Sequence, residues 1–219
     1  MKDITELFGG YKIYQFKKGF RFSVDSVVLS DFYNEKKSSK VLDIGTGNGI
    51  IPVLLAIKEK ADNITGIELQ KEVAELAEEN ICLNSLKDKI RIVNCNIKDF
   101  RERNSYDVVV SNPPYMTVDG KNINDNISKS IARHEIELTL RELIVNAKKI
   151  LKPRGSFYMV HRSHRISEII CELANCDFTL ERLKFVYHSA GEVSNLVLIK
   201  AVKGRKVICS VEPPLYLEE

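Results

Sequence analysis

From residue 40 onward, apolar runs of strand length alternate with stretches whose apolar residues recur every three or four positions. Strands are expected at 40–44, 63–69, 90–95, 106–111 and 156–161, and helices at 50–60, 71–84, 136–151 and 163–174. Val73, Leu76, Ala77 and Ile81 share one helical face. Pro52 is tolerable because it falls in a first turn, where its missing N–H costs no hydrogen bond, and Lys152-Pro153 stops the helix before it. Such alternation admits few architectures, because parallel strands need crossovers and crossover helices cover both sheet faces. The expected fold class is α/β: a Rossmann-like, mostly parallel sheet with helices on both faces. The last two strands, 179–187 and 195–201, are separated only by a short turn containing SAGEVSN. That is too short for a parallel return. A seven-stranded sheet with one antiparallel strand near its edge follows.

Residues 1–39 are expected to form an extension packed on a 40–219 core, within a single domain. YKIYQF, KKG and FRFS suggest a hairpin near residues 11–23, followed by a short helix at 24–33. The segment 116–133 (MTVDGKNINDNISKSIAR) is long, polar and aperiodic. Loops of that length in compact domains are usually functional or disordered.

Composition narrows the class. Hydrophobic residues are 44% and charged residues 29%, enough for a globular core. No signal-like or membrane-length apolar run is present, so a soluble cytoplasmic protein is expected. The five cysteines are scattered without a C-x-x-C pair, which fits free thiols in a reducing compartment. His161 and His164 have no partner cluster, so no metal is expected. Net charge is +3 but uneven: residues 145–206 carry 12 basic and 5 acidic side chains. A basic third of this kind suits a polyanion, and it also suits a solvated surface.

Val41 to Ala56 reads VLDIGTGNGIIPVLLA. A strand ends at Asp43-Ile44, and Gly45, Gly47 and Gly49 then allow a tight turn and close backbone approach to a ligand. The spacing G-x-G-x-G places Ile50 where a dinucleotide motif wants its third glycine, which disfavours a nicotinamide enzyme, and no Lys-Ser/Thr follows to make a P-loop. Glu68 ends the next strand, where a carboxylate accepts from ribose hydroxyls. Asn96 ends the third, where an amide oxygen accepts from an adenine amine. Leu69 and Ile97 flank these two positions. D-x-G-x-G-x-G with an acid at the second strand end resembles the class I S-adenosylmethionine-dependent methyltransferases. The family more often has Asp at the position of Asn96.

The fourth core strand, Tyr106–Ser111, runs into Asn112-Pro113-Pro114-Tyr115. Prolines end strands and Asn-Pro starts turns. NPPY also resembles the [DNS]-P-P-[YFW] motif of methyltransferases acting on a conjugated amino nitrogen. In that chemistry the Asn112 side-chain oxygen and the Pro113 carbonyl accept from the two N–H groups of the target, and Tyr115 stacks on a planar substrate. The motif leaves adenine in DNA, adenine or guanine in RNA, and protein glutamine open.

GFRFSVDSVVLSDF, ARHEIELTLRELIVNAKKILKPRGSFYMVHR and EPPLYLEE narrow the choice. With NPPY they resemble the bacterial tRNA adenine N6-methyltransferases that act beside the anticodon of a valine tRNA. The resemblance implies S-adenosylmethionine as cofactor and tRNA as partner. It places Phe20, Phe22 and Asp25 on the cofactor side, and Arg133, His134 and Glu135 on the substrate side. A protein-glutamine methyltransferase usually carries a separate N-terminal helical domain, for which residues 1–39 are too few. A non-catalytic binding module is opposed by the intact Asn112 and glycine turn. A monomer is the simplest expectation.

Overall fold

The computed structural model describes residues 2–17, 23–114 and 138–218. Within them the chain builds β1 (Lys2–Glu6), β2 (Lys12–Phe16), α1 (Val24–Phe32), β3 (Lys40–Ile44), α2 (Ile50–Ile57), β4 (Asn63–Glu68), α3 (Lys71–Leu83) and β5 (Ile90–Asn94). After β6 (Tyr106–Ser111) come α4 (Leu140–Ile150), β7 (Leu151–Arg162), α5 (Ile166–Asn175), β8 (Phe178–Tyr187) and β9 (Leu196–Lys203). Two short strands follow, β10 (Ser210–Val211) and β11 (Leu215–Tyr216).

The main sheet has the spatial order β5-β4-β3-β6-β7-β9-β8. Neighbours from β5 to β7 are parallel, and β9 runs antiparallel between β7 and β8. The edge is extended further, because β10 and β11 both pair with β8, giving nine strands where the sequence shows seven. Two-residue strands leave no periodicity to read.

Strand alternation sorts the core into two layers. Val41, Ile64, Val108, Val110, Tyr158, Val160 and Leu198 face the side covered by α1, α2 and α3. Leu42, Ile67, Val109, Phe157, Met159, Val197 and Ile199 face α4 and α5. Each such side chain, fully withdrawn from water, contributes about 1.5–3 kcal/mol. Two covered faces explain why these strands read as continuous apolar runs.

One strand was not foreseen, and one helix start needs correction. The β2 strand exists, but it pairs antiparallel with β1, across a turn at Phe8–Gly10 in which Gly9 and Gly10 take positive φ. Its expected partner, residues 20–22, lies outside the described residues. Helix α4 begins at Leu140, not 136. Thr139 is extended, its hydroxyl accepts from Glu142 N–H, and the Glu142 carboxylate accepts from Thr139 N–H. This capping box fixes the start.

The β1–β2 hairpin is docked by asparagines of α3. Asn80 Oδ1 accepts from Tyr14 N, and its Nδ2 donates to Tyr14 O (3.1 Å) and Asn48 O (2.9 Å). Asn84 bridges Lys12 in the same way.

Candidate active site

Three parallel strands end side by side. Ile44 of β3 is in register with Ile67 of β4 and with Ser111 of β6. Gly45, Glu68 and Asn112 therefore stand at one level on three adjacent strands, with Gly45 in the middle and one strand spacing of about 5 Å on either side of it. From β3 the chain builds outward through β4 and β5 on one side, while β6 and β7 lie on the other. The order reverses between β3 and β6, where ligands of open α/β sheets bind. Ser111 Oγ donates to Ile44 O (2.9 Å) and clamps the two strand ends together.

The glycine turn is held from both sides. Gly45 N and Thr46 N both donate to Ile67 O at 2.9 Å. Gly45 (φ 72), Gly47 (φ 59) and Gly49 (φ 82) all occupy left-handed backbone. A Cβ at Gly45 would meet nothing within 4 Å, so the turn is open above that position. At Gly49 the added carbon would press on Ala77 Cβ of α3 at 3.4 Å. The first glycine thus faces open space and the last faces packing.

Glu68 reaches across the strand ends. Its carboxylate accepts from Gly47 N (3.0 Å) and from Gln70 N (2.9 Å), and the residue is 7% exposed. Its backbone carbonyl accepts from Asn94 Nδ2 and Cys95 N. Asp43 is fully buried beneath the turn. Burial pushes its pKa up to about 7, against a downward pull from the Thr46 hydroxyl and with the Glu68 charge adding to the rise. Both carboxylate oxygens, and Thr46 Oγ1, fall short of hydrogen-bonding geometry among the described residues. A buried carboxyl without a donor costs free energy unless a ligand or proton meets it. Open space over Gly45, buried unmet oxygens below it and an acid one strand away suit a nucleoside-bearing, cationic cofactor.

Asn96 N-caps a short 3-10 turn, its Oδ1 accepting from Lys98 N (2.9 Å). Any adenine contact through that oxygen uses its second lone pair. Ile97 is buried at 7%, Leu69 is 39% exposed, and Asp25 sits in the first turn of α1. On the β6 side, Asn112 and Pro113 are half-buried. Asn112 Nδ2 donates to Ser26 Oγ of α1 at 3.1 Å. Phe20, Phe22, Tyr115, Arg133, His134, Glu135 and the segment 116–133 lie outside the described residues.

Sequence reasoning missed Ser26, Asn48 and Asn80. Ser26 is 2% exposed and Asn80 fully buried. The available signal was a polar residue on the buried stripe of an amphipathic helix, such as Asn80 between Leu76, Ala77 and Ile81. A buried polar side chain on that stripe must have a partner.

A family model for the methyltransferase small domain matches residues 22–186. The tRNA1(Val) (adenine(37)-N6)-methyltransferase of Tolumonas auensis is 30% identical over 213 residues, covering 97% of this chain and 88% of that protein. Its counterpart from Aeromonas hydrophila is 30% identical over 185 residues, covering 84% and 77%. Among solved structures, a methyltransferase from Pyrococcus furiosus superposes with a TM-score of 0.67 at 20% identity, covering 90% of this chain and 91% of that one. At that identity the likeness speaks for the fold alone. The sheet order, the glycine turn and NPP at adjacent strand ends, and these relatives agree: the chain belongs to the methyltransferase small-domain family, among the relatives of the bacterial tRNA1(Val) (adenine(37)-N6)-methyltransferases.

Proposed function

We propose that this protein transfers the methyl group of S-adenosylmethionine to N6 of an adenine in tRNA, at the valine-tRNA position 37 named for its relatives. The observation that carries the reading is the common level of Gly45, Glu68 and Asn112 on three adjacent strand ends. It sets an amino-group acceptor one strand away from the turn that suits the cofactor.

When bound, S-adenosylmethionine supplies an electrophilic methyl group on sulfur. Glu68, already fixed by two backbone N–H groups, has lone pairs left for ribose hydroxyls. The open backbone at Gly45 admits the cofactor closely, and Asn96 and Ile97 border its base. The adenine amino nitrogen is a poor nucleophile because its lone pair is delocalised into the ring. Asn112 Oδ1 and the Pro113 carbonyl accept from its two N–H groups, favour a tetrahedral nitrogen and stabilise the positive charge that grows as the N–C bond forms. The nitrogen then releases one proton to water, so no strong base is required. Tyr115 stacks on the base, and Arg133 and His134 border the tRNA. An anticodon-loop base reaches such a pocket more cheaply than a paired one, because less stacking is lost when it is splayed out.

The test is incubation with labelled S-adenosylmethionine and total tRNA, followed by nucleoside analysis. Label in N6-methyladenosine is expected. Label confined to another nucleoside, or to protein, contradicts the reading.

A further inference from the structure

We propose that Ser26 is a positioning residue for the transfer step, setting which end of the Asn112 amide faces the substrate. The proposal rests on the reading of Asn112 given above. An amide has an accepting end and a donating end of nearly the same shape, and only the oxygen can receive the N–H of an amino group. An asparagine at this strand end therefore has a productive and an inverted orientation. Inverted, it points its own N–H groups at those of the substrate.

In the structure Ser26 meets the donating end of the amide. Asn112 Nδ2 donates to Ser26 Oγ at 3.1 Å, which turns Oδ1 away from α1. Ser26 is 2% exposed, so water does not readily replace it as the acceptor. Its own placement is over-determined. It lies in the first turn of α1, its N–H donates to Ser23 O (3.2 Å), and Val28, Leu29 and Phe32 of the same helix are buried in the core. Ser111, next in the chain to Asn112, is tied to Ile44. Both ends of the Ser26–Asn112 bond thus belong to rigid elements, the arrangement that holds a reacting group in position.

The test exploits the symmetry of a carboxylate. Asp at position 112 accepts through either oxygen and has no inverted orientation. Ser26→Ala should lower the single-turnover methylation rate about 10-fold, the scale of one hydrogen bond, with cofactor affinity by calorimetry and the melting temperature little changed. The same substitution in the Asn112→Asp background should cost less than about 3-fold. Equal losses in both backgrounds show a general structural role and overturn the proposal, as does an undiminished rate for Ser26→Ala in the Asn112 protein. Should Asn112→Asp itself be inactive, Ser26→Thr decides: it keeps the hydroxyl acceptor and should recover most of the rate lost in Ser26→Ala, whereas a Thr variant as slow as Ala overturns the proposal. Methylation of some other acceptor by the unsubstituted protein removes the functional reading and this proposal together. Normal adenine methylation with no Ser26 effect removes only the latter.

Discussion

At the scale of residues, two buried titratable groups have environments that do opposite things. Asp43, fully buried, has its pKa raised to about 7 from 3.8, chiefly by burial and against the pull of the Thr46 hydroxyl. Its folded pKa is raised, so its contribution to stability falls as pH rises from 3.8 to 7. His161, 2% exposed, has its pKa driven down from 6.5 to about 4, by burial first and by the Arg165 charge next. The unfolded chain binds that proton more readily, so the His161 contribution rises with pH from about 4 to 6.5. The two slopes oppose each other in that window. Urea unfolding at several pH values between 4 and 6.5 should show Asp43→Asn tilting the stability profile upward with pH and His161→Gln tilting it downward, relative to the unsubstituted protein. Parallel profiles for all three proteins contradict this assignment. Asp43 also predicts proton release: a cationic cofactor held at the glycine turn would favour the carboxylate, so cofactor binding below pH 7 should liberate a proton. Calorimetry in buffers of different ionisation enthalpy reads this directly, and buffer-independent heats count against it. Glu68→Ala should weaken cofactor binding by about 1.5–3 kcal/mol, the scale of hydrogen bonds to a charged group. It should lower the melting temperature as well, because Gly47 N and Gln70 N lose their acceptor.

At the scale of elements, legibility followed periodicity. The strands Lys40–Ile44 and Tyr106–Ser111 have the bounds their apolar runs suggest, since both faces of each are covered. The strand β1 was not foreseen because KDITE shows one aliphatic residue, Ile4, and that side chain is 55% exposed. What specifies β1 is its pairing with β2 and the tertiary docking of β2 by Asn80, neither of which local pattern records. The start of α4 was legible in principle, through Thr139 and Glu142 at capping-box spacing, but the apolar residues before it suggested an earlier start. Asn80→Leu should destabilise the protein by about 2–4 kcal/mol, because it strands the Tyr14 N–H and C=O and frees the Asn48 carbonyl. Hydrogen exchange should show the loss centred on β2 and the glycine turn. Protection changes confined to α3 contradict that coupling.

At the scale of the whole molecule, the meeting of the glycine turn and Asn112 on adjacent strand ends was foreseeable, because parallel topology brings those strand ends together. Charge was not. The +7 of residues 145–206 is partly offset by ion pairs once folded, three of the acidic partners (Glu35, Glu212 and Asp107) lying outside that segment. Lys200 lies between Glu35 and Glu181, Arg182 and Lys184 share Glu212, Arg165 meets Glu168, and Lys152 meets Asp107. Among the described residues, no helix is long and apolar enough to cross a membrane. Affinity for tRNA should still fall as salt rises, through counterion release. Its slope should be shallower than twelve unpaired cations would give, and salt-independent binding contradicts a tRNA substrate. The central claim is that VVVSNPPY ends in a reacting group rather than a turn. Single-turnover methylation of tRNA by Asn112→Ala tests it most directly. The account predicts a loss of roughly 10²–10³-fold in the transfer rate, the scale for removing one preorganised hydrogen-bond partner of a developing charge, with cofactor and tRNA affinities retained. A near-normal rate would mean that the amide at position 112 only shapes the chain, and would contradict the account.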